Sequence, residues 1–75
     1  MNDTALRRQE VGRIMEAGVR RFEQIPAAVK AELYGQHIAI STNTGRFVTT
    51  EDDEIVKLFA ESLAPGDHIW MTRVC

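Results

Sequence analysis

The first third of the chain is dominated by one long helical pattern. From Thr4 to Gln24 there is no proline, and apolar or small residues recur at alternating steps of four and three, which is the spacing of one face of an α-helix. These positions are Val11, Met15, Gly18, Phe22, Ile25 and Val29. A helix of about twenty residues is about 30 Å long, which is more than a three-stranded sheet covers. We therefore expect part of this stripe to meet another chain.

The helical pattern is interrupted at Pro26. Proline has no amide hydrogen and disfavours helical geometry at the preceding residue, Ile25, so the chain is predicted to kink or to start a second helix there. Good helix formers follow as far as Tyr34, and Gly35 then suits a left-handed cap. The sequence thus predicts a long helix and a short helix before the first strand.

A β-hairpin is predicted after the second helix. In residues 37–42, Ile38 and Ile40 alternate with smaller or polar residues, as in a strand with one buried face. Residues 43–45 predict a three-residue loop made of a type I turn and a left-handed glycine, and residues 46–49 predict the returning strand.

The third helix has the most explicit start signal in the sequence. Thr50 is followed three residues later by Asp53, and four consecutive acids at 51–54 suit the positive first turn of a helix. The helix is predicted to reach Leu63, and residues 68–74 predict a third strand. The acidic run is accounted for by its position at a helix start.

These elements predict an α+β fold: a long N-terminal helix, kinked or broken near Pro26, followed by β-β-α-β with a three-stranded sheet in the order 2-1-3. The chain is expected to form a single domain over residues 1–75, with a helical arm at 1–34 and a ββαβ unit at 35–75. The third helix is expected to cover one sheet face, with a core of Ile38, Ile40, Leu58, Phe59 and Leu63. The first helix, from the same chain or from a second copy, is expected to cover the other face.

The composition indicates the kind of cellular compartment in which the protein is expected. The chain has 75 residues, a formal net charge of −2 and one cysteine, Cys75, so no internal disulfide can form. No apolar run approaches the ~18 residues that a membrane span requires, and the start of the chain is unlike a signal peptide. We expect a soluble, cytoplasmic protein that does not contact membranes.

Catalytic and metal chemistry is not favoured. Ser41 and Ser62 lie in a strand and on a helix, without the surroundings of a nucleophile, and the five glycines form no phosphate-binding loop. His37, Cys75 and Glu32 lack recognisable ligand spacing. We predict that the protein is not an enzyme and that it has no cofactor and no metal.

One segment carries a resemblance. The run Tyr34-Gly35-Gln36-His37-Ile38-Ala39-Ile40, the Thr-Gly hairpin, the acidic helix start and the apolar last strand resemble a family of small bacterial proteins of unknown function. Members often open with a Tyr-x-Gly-Lys-Trp-Val-Ala-Ile-like strand; here Gln36 replaces the common lysine and His37 the common tryptophan. The resemblance covers residues 34–74, implies the hairpin-helix-strand order and a bacterial cytoplasm, and implies no activity.

The leading functional hypothesis is a non-catalytic protein-interaction module. We expect a homodimer through the first helix and a second protein as partner, as for an antitoxin-like or accessory product of a neighbouring gene. Trp70 is a core residue if the first helix packs on the sheet of its own chain. If that helix pairs with a second chain instead, Trp70 becomes an anchor residue of an interface. The candidate interaction residues are Val11, Met15, Phe22, Ile25 and Trp70.

The alternative is nucleic-acid binding by the first helix. Five arginines lie on that helix and would contact phosphates or an acidic partner, although the net negative charge of the chain disfavours backbone-driven binding. These are Arg7, Arg8, Arg13, Arg20 and Arg21.

Overall fold

The computed structural model describes residues 3–75, with side chains from Arg7 onward. Its elements are α1 (Asp3–Glu23), α2 (Ala27–Glu32), β1 (His37–Ser41), β2 (Phe47–Thr49), α3 (Asp53–Ser62) and β3 (Ile69–Arg73). This order confirms the predicted α+β class, and the helical pattern breaks at Pro26 as expected. Within the described part of the chain, no helix is both long and apolar enough to cross a membrane.

The sheet has the predicted topology. Its strand order is β2-β1-β3, and both neighbours run antiparallel to β1. Ile40 lies opposite Phe47 on one side and opposite Trp70 on the other. Because β1 is central and covered on both faces, Ile38, Ala39 and Ile40 are completely buried. The most apolar strand therefore lies in the middle of the fold.

The main core lies between the sheet and the first two helices. Directly opposed residues of antiparallel strands share a sheet face, so Ile38, Ile40 and Trp70 project to the same side. That side meets α1 and the chain that follows it. The core consists of Ile25, Ile38, Ile40 and Val74, with Phe22, Val29, Leu33, Phe47 and Trp70 packed against it.

The predicted core over α3 is wrong in part. Leu58 is 58% exposed, and neither Phe59 nor Leu63 belongs to the cluster of Ile38 and Ile40. α3 contacts the edge strand β2, where buried Phe59 packs beneath the guanidinium of Arg46 at 5.8 Å from the ring centroid. Because α3 lies over the edge of the sheet, Leu58 does not reach the central strand.

The start of α3 also differs from the prediction. Asp52 is the N-cap, and its carboxylate accepts a 2.9 Å hydrogen bond from the amide of Glu54. Thr50 is not the cap, because its amide and its hydroxyl both donate to the carbonyl of His37, at 3.0 and 3.3 Å. Thr50 thus still belongs to the hairpin, and the helix begins after it.

The hairpin loop is one residue longer than expected. The amide of Ser41 donates to the carbonyl of Arg46 at 2.8 Å, so the connection comprises residues 42–45. Gly45 has φ +82°, the left-handed geometry predicted for it, and its amide donates to the carbonyl of Ser41 at 2.9 Å.

The contact between α1 and β3 depends on a glycine. Gly18 is buried, and a Cβ added there would overlap the indole of Trp70. The helix therefore approaches the tryptophan more closely than any other residue type at position 18 allows. Gly12, six residues earlier in α1, has no atom within 4 Å of an added Cβ.

This difference predicts opposite effects of the same substitution at two positions of one helix. Gly12→Ala is expected to raise the free energy of unfolding by about 0.5–1 kcal/mol, because alanine is the better helix former. Gly18→Ala is expected to lower it by about 1–2 kcal/mol, because overpacking against Trp70 outweighs that gain. Urea unfolding at one fixed protein concentration measures both changes. Equal stabilisation by the two substitutions would contradict the close packing of Gly18 on Trp70.

Candidate interaction surface on helix α1

Helix α1 carries both buried and exposed apolar residues, on neighbouring parts of its surface. Gly18 lies on the buried side against Trp70, Ile25 just beyond the helix is 7% exposed, and Phe22 is half-buried against the core. Val11, Met15 and Val19 remain 55%, 52% and 42% exposed. Because these three recur every four residues, they lie on one side of the helix, and we call them the outer stripe.

Charged side chains border the outer stripe. Glu16, Arg20 and Glu23 are exposed, and with Met15 and Val19 they line an open groove of about 420 Å³. Apolar side chains bordered by charged ones are typical of protein contact surfaces. In the part of the chain that the structure describes, this groove has the features expected for association with another helix.

The structure divides the five predicted interaction residues into two groups. Val11 and Met15 lie in the outer stripe, whereas Phe22, Ile25 and Trp70 pack in the core of their own chain. The heptad pattern joined both groups because they are close in angle around the helix. It missed Val19, for which the sequence signal is the four-residue repeat of Val11, Met15 and Val19.

The five arginines also divide. Four of them, Arg7, Arg8, Arg13 and Arg20, are exposed. Arg21 is half-buried and joins α1 to the hairpin: its Nε donates to the carbonyl of Thr42 at 3.2 Å, and its Nη2 donates to the carbonyl of Asn43 at 2.6 Å. Its Nη1 also reaches Gln24 at 3.3 Å. Arg21 therefore has a structural role in the single chain.

Replacing Arg21 is expected to destabilise the fold. Arg21→Ala removes two charge-assisted hydrogen bonds to loop carbonyls and is expected to lower the free energy of unfolding by about 1–3 kcal/mol. Arg20→Ala, at the adjacent exposed position, is expected to change it by less than about 0.5 kcal/mol. Urea unfolding of both variants checks this, and similar values for the two would show that the contact to the hairpin contributes little.

A polar cluster holds the hairpin to the start of β3. The hydroxyl of Ser41 donates to the carboxylate of Asp67, and the amides of Asn43 and His68 donate to Asp67 Oδ1 at 3.1 and 2.7 Å. Thr44 donates from its amide and its hydroxyl to Ser41 Oγ, at 3.2 and 2.9 Å. Burial acts to raise the pKa of Asp67, but these hydrogen bonds outweigh burial and hold the pKa below its ordinary value.

The same cluster explains why Ser41 is unsuited to nucleophilic catalysis. Its side chain is completely buried, its proton is directed at Asp67, and its oxygen accepts two hydrogen bonds from Thr44. His68 enters the cluster through its backbone amide. These hydrogen bonds hold the hairpin loop in one conformation, and both their donors and their acceptors belong to this chain.

Asp67 predicts a pH dependence of stability. Because its pKa is lower in the folded than in the unfolded protein, its stabilising effect is full above the unfolded value, about 4, and is lost as the pH falls through the folded value. Asp67→Asn is therefore expected to destabilise the protein by about 1–3 kcal/mol at pH 7, and by less at pH 3.

Urea unfolding at the two pH values measures this difference. Glu61→Gln, at an exposed position of α3, is the control and should behave like the wild type at both. A penalty for Asp67→Asn that is the same at pH 3 and pH 7 would contradict the lowered pKa.

The residues considered for a metal do not converge. His37 is exposed and lies opposite Arg73 in the sheet, and Cys75 is an exposed free thiol. Among the described residues there is no group of three or more histidine, cysteine, aspartate or glutamate side chains able to hold a metal ion.

Comparison of this chain with models of protein families, with curated proteins and with solved structures gave no match. The resemblance of residues 34–74 to a bacterial family of unknown function therefore stays a prediction.

Proposed function

We propose that this protein is a non-catalytic protein-interaction module that associates with a second copy of itself through the outer stripe of α1. The observation that supports this is the exposure of three large apolar side chains, Val11, Met15 and Val19, along α1 next to the face that packs on the sheet. Fully burying one side chain of this size contributes about 1.5–3 kcal/mol.

The dimensions of the fold give a second argument. α1 has 21 residues and is about 32 Å long, whereas the five-residue strands β1 and β3 extend about 17 Å. The molecule is correspondingly elongated, with extents of 45 × 24 × 18 Å. About half of α1 thus extends beyond what the sheet covers, and a second chain is the natural cover for it.

A small chain also has a thermodynamic reason to associate. A domain of this size buries about 60% of the surface that its unfolded chain exposes, so its own core gives modest stability. Association with a partner that binds only the folded form adds to it. A symmetric dimer is the commonest such assembly and needs a surface that is complementary to itself.

The biological form that we propose is an antitoxin-like or accessory protein in a bacterial cytoplasm, acting by contact with the product of a neighbouring gene. The basis for this part is an analogy of size and layout, a helical arm attached to a small α+β unit. Self-association through α1 is the part of the proposal that the geometry of the chain supports directly.

Nucleic-acid binding is the second candidate. The first half of α1 presents three exposed arginines, Arg7, Arg8 and Arg13, with Glu10 as the acid between them. Contact with phosphates predicts an affinity that falls steeply with salt. Titration of a fluorescent duplex in dilute buffer and at 0.2 M salt distinguishes the candidates, because a protein-contact module shows no binding in either condition.

The proposed association is tested by one substitution on α1 and a matched one on α3. Met15→Glu places a charge in the outer stripe and is expected to convert the dimer to a monomer, since an unpaired charge is costly in an apolar contact. Leu58→Glu, at a comparably exposed apolar position, is expected to leave the dimer intact. Light scattering after size exclusion, over a hundredfold range of concentration, measures the mass.

The same two variants also supply the control for folding and the result that would contradict self-association through α1. Circular dichroism should show both variants folded, because Met15 and Leu58 are each more than half exposed. A wild-type protein that is monomeric at every concentration, or a dimer that Leu58→Glu disrupts and Met15→Glu does not, would overturn the proposal.

A further inference from the structure

Four exposed charged residues follow the solvent side of the outer stripe, and their signs alternate. Arg13, Glu16, Arg20 and Glu23 read plus, minus, plus, minus along α1, and we call them the outer rim. They fall within a narrow angular range of the helix, next to Met15 and Val19. Glu16, Arg20 and Glu23 line the same groove as those two side chains.

The charges of the outer rim are complementary to those of a second copy that runs in the opposite direction. If the series is turned end to end about position 18, residue 13 comes opposite residue 23 of the second copy, and residue 16 comes opposite residue 20. Each of the four resulting pairs joins an arginine to a glutamate. In a parallel pair with matched register, each rim residue would instead face its own copy, which gives four like-charge contacts.

The apolar residues fit the same register. Met15 and Val19 lie within one helical turn of position 18, so the side chains of both copies would meet around the two-fold axis. Gly12 lies further along this side, and the space next to its Cα is open within 4 Å. The backbone of a second helix can therefore approach α1 closely at that position.

We infer that two copies of this chain associate with their α1 helices antiparallel, in the register that places position 18 near the two-fold axis. This inference rests on the proposed self-association and adds the orientation of the partner. Met15 and Val19 of the outer stripe supply the affinity by burying apolar surface, and the outer rim selects the antiparallel orientation. Exposed ion pairs contribute little individually, but a parallel arrangement would replace four attractions by four repulsions.

Two double variants test the rim directly. Arg13→Glu with Arg20→Glu makes the whole rim negative, and Glu16→Arg with Glu23→Arg makes it wholly positive. Each variant alone is expected to raise the Kd of the dimer by about tenfold or more at low salt. An equimolar mixture of the two is expected to form a heterodimer with at least the wild-type affinity, measured by analytical ultracentrifugation.

A control variant has the same change of net charge as the negative rim variant. It distinguishes an effect of the rim positions from a general repulsion between two charged molecules. Arg7→Glu with Lys57→Glu reverses two exposed positive charges outside the rim and is expected to leave the Kd within about threefold of the wild type. All six substituted positions are exposed, so the variants are expected to keep the circular dichroism of the wild type.

A distance measurement decides the orientation. Arg8 is exposed and lies on the same side of α1 as Val11 and Met15, three and seven residues further on, and a spin label can be attached at Arg8→Cys after Cys75→Ser has removed the native thiol. In the antiparallel register, position 8 of one copy is level with position 28 of the other, so the labels are about 30 Å apart along the axis. In a parallel pair they face each other and are separated by about the interaxial distance, near 10 Å.

The outcomes separate this inference from the proposed function. A dimer that Met15→Glu disrupts, but whose labels at position 8 lie near 10 Å and whose Kd is unaffected by either rim variant, overturns the antiparallel arrangement and leaves self-association through α1 in place. A protein that is monomeric throughout overturns both. Labels about 30 Å apart together with heterodimer formation by the mixed variants support the inference.

Discussion

The close contact between Gly18 and Trp70 determines how helix α1 sits on the sheet. With no side chain at position 18, the helix backbone approaches the indole directly, and this orients the helix about its own axis. Ile25, two turns further on, then enters the core, and Phe22 packs beside it. Met15 and Val19 lie beside this contact on the helix surface and stay about half exposed. Val11, seven residues before Gly18, is on the same face but remains 55% exposed. The contact at Gly18 thus helps to determine both the core and the apolar surface that remains outside it.

Arg21 provides a second point of attachment at the hairpin. Its guanidinium donates to two carbonyls of the loop at 42–45, whose conformation is held by Ser41 and Asp67. The two attachments lie three residues apart and hold the second half of α1 to the sheet and to the hairpin. The first half of α1 continues this anchored helix, which gives the exposed side chains a defined arrangement in space. A preorganised surface of this kind binds with a smaller entropy cost than a flexible arm.

The buried and half-buried polar side chains form hydrogen bonds within the chain. Ser41 and Asp67 satisfy each other and the loop, and Arg21 is engaged with backbone carbonyls. In the described part of the molecule, no buried side-chain nitrogen or oxygen lacks a hydrogen-bond partner. Along α1 the chain exposes an apolar stripe bordered by alternating charges. This combination is the basis of our proposal that the protein acts by contact with another chain, and that a second copy is its partner.

Local residue patterns were enough to determine the elements and their order. Alternation around Ile38 and Ile40, the break at Pro26 and the glycine at position 45 specify local geometry, and the hairpin and crossover then imply the 2-1-3 sheet. The cap of α3 was misplaced because Thr50 is held by a strand pairing to His37, which is a contact between distant residues. Likewise, only the tertiary structure assigned Arg21 to the hairpin and Leu58 to the surface. The helical period shows which residues share a side of α1, but where the helix lies on the sheet decides which of them are buried. Val11 and Phe22 are close in angle, yet only Phe22 packs against the core. That placement depends on the contact with Trp70, fifty-two residues away from Gly18 in the chain.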